Sequence, residues 1–410
     1  MKKNRFSLKM PAGYNRAIHA AVLILNLFGV LMVISASMST DATNGSLLFA
    51  GAKELGFVVI SYVLMIFTAR NFSFKLVTKY QRIISLCVIA VLLSVLVFPP
   101  VNGARAWLRF GPITIQPAEF AKIWVIILVA INLGDKQRHR VAKTWDLVKE
   151  PLIFILIFSA IIIALQRDLG SAVVLLGIGY MCFLVPSNRK LDKFQKYMTI
   201  FLLVGIVLVV FLGTETGLHL VESILNKIGA HDYMLGRFKS SADPLGERYG
   251  DSYQLFMSLV AMIQGLDAGL FGKGYGNSLN KLGYLPEAQT DFVLAIVVEE
   301  LGIFGILIVL VGYGVILYNT FKYALYVKLE RDKIILVGVA AYLMIHFVFN
   351  VGGVTGLVPL TGVPLLFVSA GGSSKMAIMI AIGLVQHVIS NYNVEQKVLA
   401  QKKRMEQQGL

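Results

Sequence analysis

The sequence is short of charge and of cysteine. Aspartate, glutamate, lysine and arginine make up only 15% of its 410 residues, whereas soluble domains carry about a quarter. The two cysteines, Cys87 and Cys182, both lie in apolar runs, so the sequence predicts buried thiols and no disulfide framework. The six histidines are scattered, which argues against a Cys/His metal site. No Walker motif is present, which excludes a P-loop nucleotide as the energy source.

Long apolar runs stand where charge is missing. Hydrophobic residues make up 57% of the chain, and the mean hydropathy is +0.73. Runs of roughly 17 to 25 apolar residues span membranes as helices, because lipid offers the backbone no hydrogen-bonding partner. We therefore predict an all-α integral membrane protein with about ten transmembrane helices. The predicted segments are residues 17–38, 50–69, 83–98, 118–133, 152–165, 171–185, 198–213, 292–318, 334–350 and 375–389.

Lysine and arginine cluster in alternate connecting segments, and this sets the predicted orientation. With the N-terminus in the cytoplasm, every internal segment carries four or five basic residues. The predicted arrangement is a cytoplasmic N-terminus (1–16), a membrane domain (17–393) and a cytoplasmic tail (394–410). The net charge of +15 is then a signal of topology and of contact with anionic membrane lipid, and we expect no nucleic-acid partner.

The longest predicted external loop covers residues 214–291. It contains two stretches with apolar residues at helical spacing, 217–229 and 252–266, both suited to the membrane interface. The glycine-rich run GLFGKGYGNS (269–278) follows them. A loop of this length is usually functional or disordered, and its apolar content argues against disorder. The chain shows no internal repeat, which weakens the case for a transporter built from inverted halves.

Four polar clusters lie on the predicted external side, where ionisable residues at membrane depth are candidates for function. Each also has an ordinary structural interpretation, as an i,i+3 pair, a helix cap or a turn. The clusters are GARAWLRFGPITIQPAEFAK (103–122), LQRDLGSA (165–172), YLPEAQTDFVLAIVVEELG (284–302) and NVGGVTGLVPLTGVPLLFVSAGGSS (350–374).

Glu299 and Glu300 cannot be explained as caps, because they lie about 12 Å inside the eighth predicted span. Buried carboxylates need partners or a water-filled cavity. Helical geometry puts Glu299 closer than Glu300 to the face of Asp291. We therefore expect Glu299 to share a cavity with Asp291, and Glu300 to pair with a different neighbouring helix.

The clusters together predict one outward-facing cavity that holds acids, Arg105, Lys122 and backbone amides. Such a cavity suits an anionic substrate carried in the membrane. A carboxylate base with nearby cations fits group transfer from a phosphate leaving group. The base would take a proton from an attacking hydroxyl, while the cations or Mg²⁺ would stabilise the departing phosphate.

At these motifs the sequence resembles the SEDS family (shape, elongation, division and sporulation) over residues 15 to 393. The resemblance rests on five stretches in the family's order. They are GARAWLRFG, QPAEFAK, QRDLGSA, YLPEAQTDFVLAIVVEELG and GLVPLTGVPLLFVSAGGSS. The chain departs from the family pattern at Arg167, where proline is usual, and at Leu366 and Ala370. The stretch GKGYGNSLNKLGYLPEAQTDF is more similar to division-type members than to elongation-type members.

The resemblance implies a peptidoglycan glycosyltransferase that polymerises lipid II at the outer face of the cytoplasmic membrane and releases undecaprenyl diphosphate. It implies a septal location, a class B penicillin-binding protein as partner, and other division proteins nearby. Asp291 matches the family's essential aspartate and is the expected general base. Arg105 and Lys122 are the expected diphosphate-binding residues. The residues expected to support the cavity are Glu119, Asp168, Glu299, Ser373 and Ser374.

The cofactor expected beside these residues is at most Mg²⁺ or another divalent cation, with no nucleotide and no haem. Two other classes of function stay open. A lipid II flippase or transporter would also carry intramembrane acids, although it should have polar residues on the cytoplasmic half as well. A non-catalytic scaffold for division proteins would need little more than the tail EQKVLAQKKRMEQQGL. The elongation-type polymerase is a third alternative, within the same family.

Overall fold

The computed structural model describes residues 7–38, 43–101, 103–111, 113–134, 143–212, 214, 216–217 and 252–408. This part of the chain is mostly α-helical. Its helices are α1 (Arg16–Ala36), α2 (Asn44–Asn71), α3 (Phe74–Ser94), α4 (Pro117–Leu133), α5 (Thr144–Ala160), α6 (Leu169–Leu184), α7 (Asp192–Leu212), α8 (Tyr253–Asp267), α9 (Val293–Tyr326), α10 (Glu330–Thr355) and α11 (Gly372–Gln407).

Each of the ten predicted apolar segments overlaps one of these helices. Within the described residues, seven helical segments are long and apolar enough to cross a membrane. They belong to α1, α2, α3, α5, α9, α10 and α11. The fold class predicted from the sequence is therefore confirmed as a helical membrane protein.

A short antiparallel hairpin is the exception to the all-α prediction. Strand β1 (Leu108–Phe110) pairs with β2 (Ile113–Ile115), and Leu108 lies opposite Ile115. Gly111 has a φ of 62° at the turn, a conformation that glycine adopts without steric cost. The hairpin leads directly into α4, because Pro117 occupies the first turn of that helix.

Helix α4 lies at the centre of the fold. Sixteen of its 17 residues are buried, including Glu119 and Lys122. Helices α3, α5, α6, α10 and α11 pack around it. A helix that is apolar on all sides needs protein around its whole circumference, and this explains why the fourth predicted segment is central.

Helix α8 packs on α9 through a close approach at Gly265. A Cβ atom placed at Gly265 would lie 2.1 Å from the carbonyl oxygen of Val298. The apolar face predicted for residues 252–266 therefore has protein partners on α9 and α10. The other predicted amphipathic stretch, 217–229, lies outside the described residues except for Gly217.

Helix α9 is broken at Gly302, which has φ 55° and ψ −140°. The glycine-rich segment satisfies the backbone groups that the break exposes. The amides of Lys273 and Gly274 donate to the carbonyls of Glu299 and Glu300, at 2.9 and 2.8 Å. The amide of Phe304 in turn donates to the carbonyl of Leu270, at 3.1 Å. These hydrogen bonds at the break join α9 to the segment that leads towards Asp291.

The contact at Gly265 leads to a stability prediction. The variant Gly265→Ala should lose about 1–3 kcal/mol of unfolding free energy, because the added methyl group overpacks the α8–α9 contact. Thermal unfolding of the purified protein in detergent measures the change. Gly56→Ala is the matched control, since a Cβ at Gly56 meets nothing within 4 Å. A Gly265→Ala protein as stable as this control would contradict the close packing.

Candidate active site

A cavity of about 240 Å³ lies where four polar segments of the chain meet. Its walls come from the segment before β1, the connection between α5 and α6, the loop before α9, and the stretch between α10 and α11. Among the predicted site residues, four line this cavity: Asp168, Asp291, Ser373 and Ser374. The sequence clusters from distant parts of the chain therefore share one cavity.

Asp168 caps α6 and also faces the cavity. Its Oδ1 accepts a hydrogen bond from the amide of Ser171, at 3.0 Å. The Gln116 side chain donates to Asp168 Oδ2 at 2.6 Å and to the Ser171 hydroxyl at 3.1 Å. The capping interpretation of Asp168 is confirmed, and Gln116 ties the cap to the start of α4.

Asp291 lies just before α9, and Phe292 is the cap residue of that helix. The side chain of Asn350 holds the backbone here, donating to the Asp291 carbonyl at 2.8 Å and to the Val363 carbonyl at 2.9 Å. Two residues before Asp291, the carbonyl of Gln289 accepts a hydrogen bond from the amide of Ala370, at 2.8 Å. These hydrogen bonds fix the Asp291 backbone against the opposite wall of the cavity.

Glu287 adds a carboxylate to the same wall. It has a φ of 53°, which is uncommon for a residue with a side chain and is often found at functional sites. The hydroxyl of Thr290 donates to its carboxylate at 2.8 Å. Glu287 also lines a second cavity, of about 310 Å³, together with Ser37, Lys281 and Gln289. The segment before Asp291 therefore separates two cavities.

Glu119 and Lys122 lie outside the cavity, in a buried network behind its wall. Both are 1% exposed, and they form an ion pair of 2.7 Å. The Tyr342 hydroxyl donates to the other oxygen of Glu119 at 2.7 Å. His346 lies 3.2 Å from the Lys122 ammonium and 3.4 Å from the carbonyl oxygen of Pro364, which lines the cavity. The network thus connects α4 and α10 to the wall.

Glu299 also lies outside the cavity that Asp291 lines. Its carboxylate is fully buried and accepts from the Lys273 ammonium at 2.8 Å, the Ser278 hydroxyl at 2.5 Å and the Leu279 amide at 3.2 Å. The prediction that Glu299 shares a cavity with Asp291 is wrong, because the segment 272–281 covers this face of α9. A fully buried carboxylate takes the nearest cation and N–H groups because it cannot be left unpaired.

Glu300 pairs with a neighbouring helix, as the sequence predicts. The Ser35 hydroxyl of α1 lies 2.7 Å from its carboxylate, and the Lys281 ammonium forms an ion pair at 2.7 Å. The amide of Ser278 donates to it at 3.3 Å. Partial burial raises the pKa of the nearby Tyr275 hydroxyl, and the Glu300 charge adds to the rise. Tyr275 donates to the carbonyl of Leu31 at 2.8 Å.

Arg105 is exposed and lies between two residues that line the cavity, Ala104 and Ala106. Its amide donates to the carbonyl of Gln166 at 2.8 Å, and its side chain is not part of the lining. The basic side chain in the lining belongs to Arg167, in the connection between α5 and α6. Of the two predicted diphosphate-binding residues, neither lines the cavity.

Sequence reasoning missed several residues of the site. Gln116 and Glu287 lie inside the quoted motifs, so their signal was available. Asn350 is the first residue of the fourth quoted cluster, whereas Tyr342 and His346 lie in the apolar run of α10 and have no motif around them. Their contacts with Glu119, Lys122 and Asp291 depend on the packing of α10 on α4 and on the loop before α9, which periodicity does not specify.

The metal expectation stays a prediction. Within the described residues, no three or more His, Cys, Asp or Glu side chains lie close enough to hold a metal ion. Mg²⁺ needs fewer protein ligands when substrate phosphates complete its coordination. Three carboxylates line the cavity within the described residues, Asp168, Glu287 and Asp291, and such an ion would bind among them.

The pattern of one protein family, described as cell cycle protein, matches residues 15–394. A similar protein is the probable peptidoglycan glycosyltransferase FtsW of Bacillus subtilis, 32% identical over 93% of this chain and 91% of its own length. Stage V sporulation protein E of the same organism is 32% identical over 89% of this chain and 94% of its own length.

Two solved structures share the fold. One belongs to a peptidoglycan synthase complex studied for the coordination of polymerization and crosslinking. It has a TM-score of 0.67 and 25% identity, over 92% of this chain and 97% of the other. The other is the rod shape determining protein RodA of Thermus thermophilus, with a TM-score of 0.62 and 23% identity, over 92% and 96% of the two chains.

The twin glutamates lead to a prediction about the segment that covers them. The variant Lys281→Met should lose about 3–5 kcal/mol of unfolding free energy, because it leaves the Glu300 carboxylate buried and without its cation. Adding Glu300→Gln to it should recover part of that loss. Thermal unfolding in detergent measures both variants.

Lys149→Met is the control, because the Lys149–Asp146 pair is about half exposed on both sides and such pairs contribute little. If Lys281→Met unfolds at the temperature of this control, the buried pair does not hold the segment 272–281 on α9.

Proposed function

Because this chain belongs to the cell cycle protein family, we propose that it is a peptidoglycan glycosyltransferase that polymerises lipid II. Relatives that carry this activity in their names match it over nearly their whole length. The observation that carries the proposal is the cavity that Asp291 and Asp168 line together with Ser373 and Ser374. A carboxylate base at an open cavity is what glycosyl transfer from a diphosphate requires.

The proposed reaction takes place at the outer face of the cytoplasmic membrane. Asp291 takes the proton from the 4-hydroxyl of the acceptor GlcNAc, and that oxygen attacks the anomeric carbon of the donor MurNAc. The bond from the anomeric carbon to the diphosphate breaks, and undecaprenyl diphosphate leaves with the electron pair. The polyprenyl tail stays in lipid throughout, and the leaving diphosphate needs no general acid.

The remaining predicted residues take supporting roles in this proposal. Asp168, Ser373 and Ser374 shape the cavity and offer hydrogen-bonding groups to the sugars or the diphosphate. Glu119 and Lys122 hold the wall at Pro364 through His346, because burial keeps the Lys122 ammonium from the substrate. Glu299 holds the segment 272–281. Arg105 lies next to the lining, where its exposed guanidinium meets the diphosphate as it enters or leaves.

The proposed setting is septal cell division, with a class B penicillin-binding protein as the partner transpeptidase. The FtsW relatives favour division over the elongation-type alternative. Both chain termini would be cytoplasmic, with ten spans and with residues 214–291 outside. Helix α11 continues through residues 393 and 394 without a break, so the tail would begin within a continuous helix.

The catalytic proposal predicts a large effect at Asp291. The variant Asp291→Asn should lower lipid II polymerisation by at least about 100-fold, the usual contribution of a general base, while the protein stays folded and bound to its transpeptidase. Purified complexes are given lipid II, and the glycan strands are separated by size. Asp267→Asn, an exposed aspartate at the end of α8, should polymerise like the unchanged chain.

Two results would count against the proposal. Strands made at the normal rate by folded Asp291→Asn protein would remove Asp291 as the base. Absence of polymer from the unchanged complex, together with transfer of labelled lipid II across vesicles, would favour the flippase alternative.

The proposed topology predicts a labelling pattern. In a chain with Cys87 replaced by serine, Asn277→Cys should react with a membrane-impermeant maleimide on intact cells. Gln401→Cys, near the end of α11, should react only after the membrane is opened. Both positions are exposed, so access differs only by the side of the membrane. Equal labelling of the two in intact cells would contradict the assigned orientation.

A further inference from the structure

We propose that Arg167 binds the diphosphate of the lipid-linked substrate in this chain. The inference rests on the proposed function, and it assigns to Arg167 a role that the sequence alone gave to Arg105 and Lys122. Arg167 is the basic side chain among the residues that line the Asp291 cavity in the described part of the chain. A guanidinium presents several N–H donors in a planar fork that matches phosphate oxygens.

The residues on either side of Arg167 are fixed to the protein. The Gln166 side chain is fully buried and donates to the carbonyl of Leu92 at 2.7 Å. On the other side, Asp168 is engaged by Ser171 and Gln116. Because both neighbours are anchored, the backbone of Arg167 is fixed relative to the cavity. Of the side chains of Gln166, Arg167 and Asp168, only that of Arg167 has no hydrogen-bond partner among the described residues.

The backbone of Arg167 is held in an unusual conformation. Its φ is 58°, in the left-handed region that costs a residue with a side chain roughly 1 kcal/mol or more. The turn follows a π-helical stretch at the end of α5, Ile161–Leu165, and such stretches are frequent at functional sites. Glycine would adopt this backbone without strain, so the structural requirement of the turn does not explain an arginine.

The charge of Arg167 is available to a ligand. The side chain is exposed and forms no ion pair or hydrogen bond with another residue of the described segments. Asp168, its neighbour, already accepts from an amide and from Gln116. Glu287 and Asp291 line the same cavity, but Arg167 is not paired with either of them. Its N–H groups are therefore left for an incoming anion.

A second group in the cavity fits the same ligand. Ser373 is 2% exposed and lines the cavity, and its hydroxyl has no hydrogen-bond partner among the described residues. It lies in the first turn of α11, whose cap residue is Gly371, without a side-chain cap. The positive end of the helix and a hydroxyl at the cavity wall favour phosphate oxygens. Arg167 and Ser373 would contact the diphosphate from two walls.

The proposed contact of Arg167 is with the charged diphosphate. Its contribution should appear in substrate binding more than in the chemical step, because a diphosphate is charged before and after the transfer.

The test uses a variant that removes the charge and relieves the backbone. Arg167→Gly should keep or raise thermal stability, because glycine suits the positive φ. It should raise the KM for lipid II about 10-fold or more, with a smaller change in kcat, since hydrogen bonds to charged groups of this kind contribute that much. The KM of Arg167→Lys should lie between those of the unchanged chain and Arg167→Gly. Arg109→Gln, an exposed arginine on β1 that does not line the cavity, is the charge-matched control.

A binding measurement separates this inference from the proposed function. Undecaprenyl diphosphate and inorganic pyrophosphate are added to purified protein, and the rise in unfolding temperature is recorded. The unchanged chain and Arg109→Gln should be stabilised by either probe, and Arg167→Gly should be stabilised far less. If Arg167→Gly keeps both its KM and its response to the diphosphates, the inference is overturned even in an active enzyme. A diphosphate response that depends on Arg167, in a chain that makes no polymer, would support the binding site and overturn the proposed function.

Discussion

Two adjacent carboxylates without access to solvent, Glu299 and Glu300, determine how the protein holds the loop that leads to Asp291 and its cavity. A buried carboxylate is strongly unfavourable unless a cation and hydrogen-bond donors surround it. Lys273, Ser278 and Lys281 supply those partners from one segment of ten residues. The same segment also satisfies the backbone groups freed by the break of α9 at Gly302. The acids and the break therefore act together, because each provides interactions that hold the segment 272–281 on α9.

The position of Asp291 follows from that anchoring and from a second one. The segment 272–281 fixes the start of the loop, and the first turn of α9 fixes its end. Between them, Asn350 and Ala370 bind the backbone carbonyls of Asp291 and Gln289. Because Asn350 also binds the Val363 carbonyl, the loop and the opposite wall share one donor. These backbone hydrogen bonds fix the main chain at Asp291 relative to the opposite wall.

Much of the fold was predictable because its signals are local. Apolar runs, helix caps and basic segments act over a few residues, and the ten predicted segments each fall on a helix. The confirmed cap at Asp168 is also a local interaction. The partners of Glu299 were not predictable, because they come from a loop whose path is set by the break at Gly302. The hairpin was missed since strands of three residues give almost no periodic signal. His346 was missed because an apolar run does not tell which of its polar residues meets another helix.

The cations of the site show most clearly where sequence reasoning ends. Arg105 and Lys122 were the natural choices, because they lie in a motif beside the predicted cavity. Lys122 is only 1% exposed and forms an ion pair with Glu119. Separating a buried ion pair costs more free energy than a contact with the substrate would provide, so Lys122 stays with Glu119. Arg167 is exposed, lines the cavity and has no partner among the described residues. In the sequence it is one departure from a family pattern. In the fold, the anchoring of Gln166 and Asp168 on its two sides makes it the cation that an anionic substrate would meet.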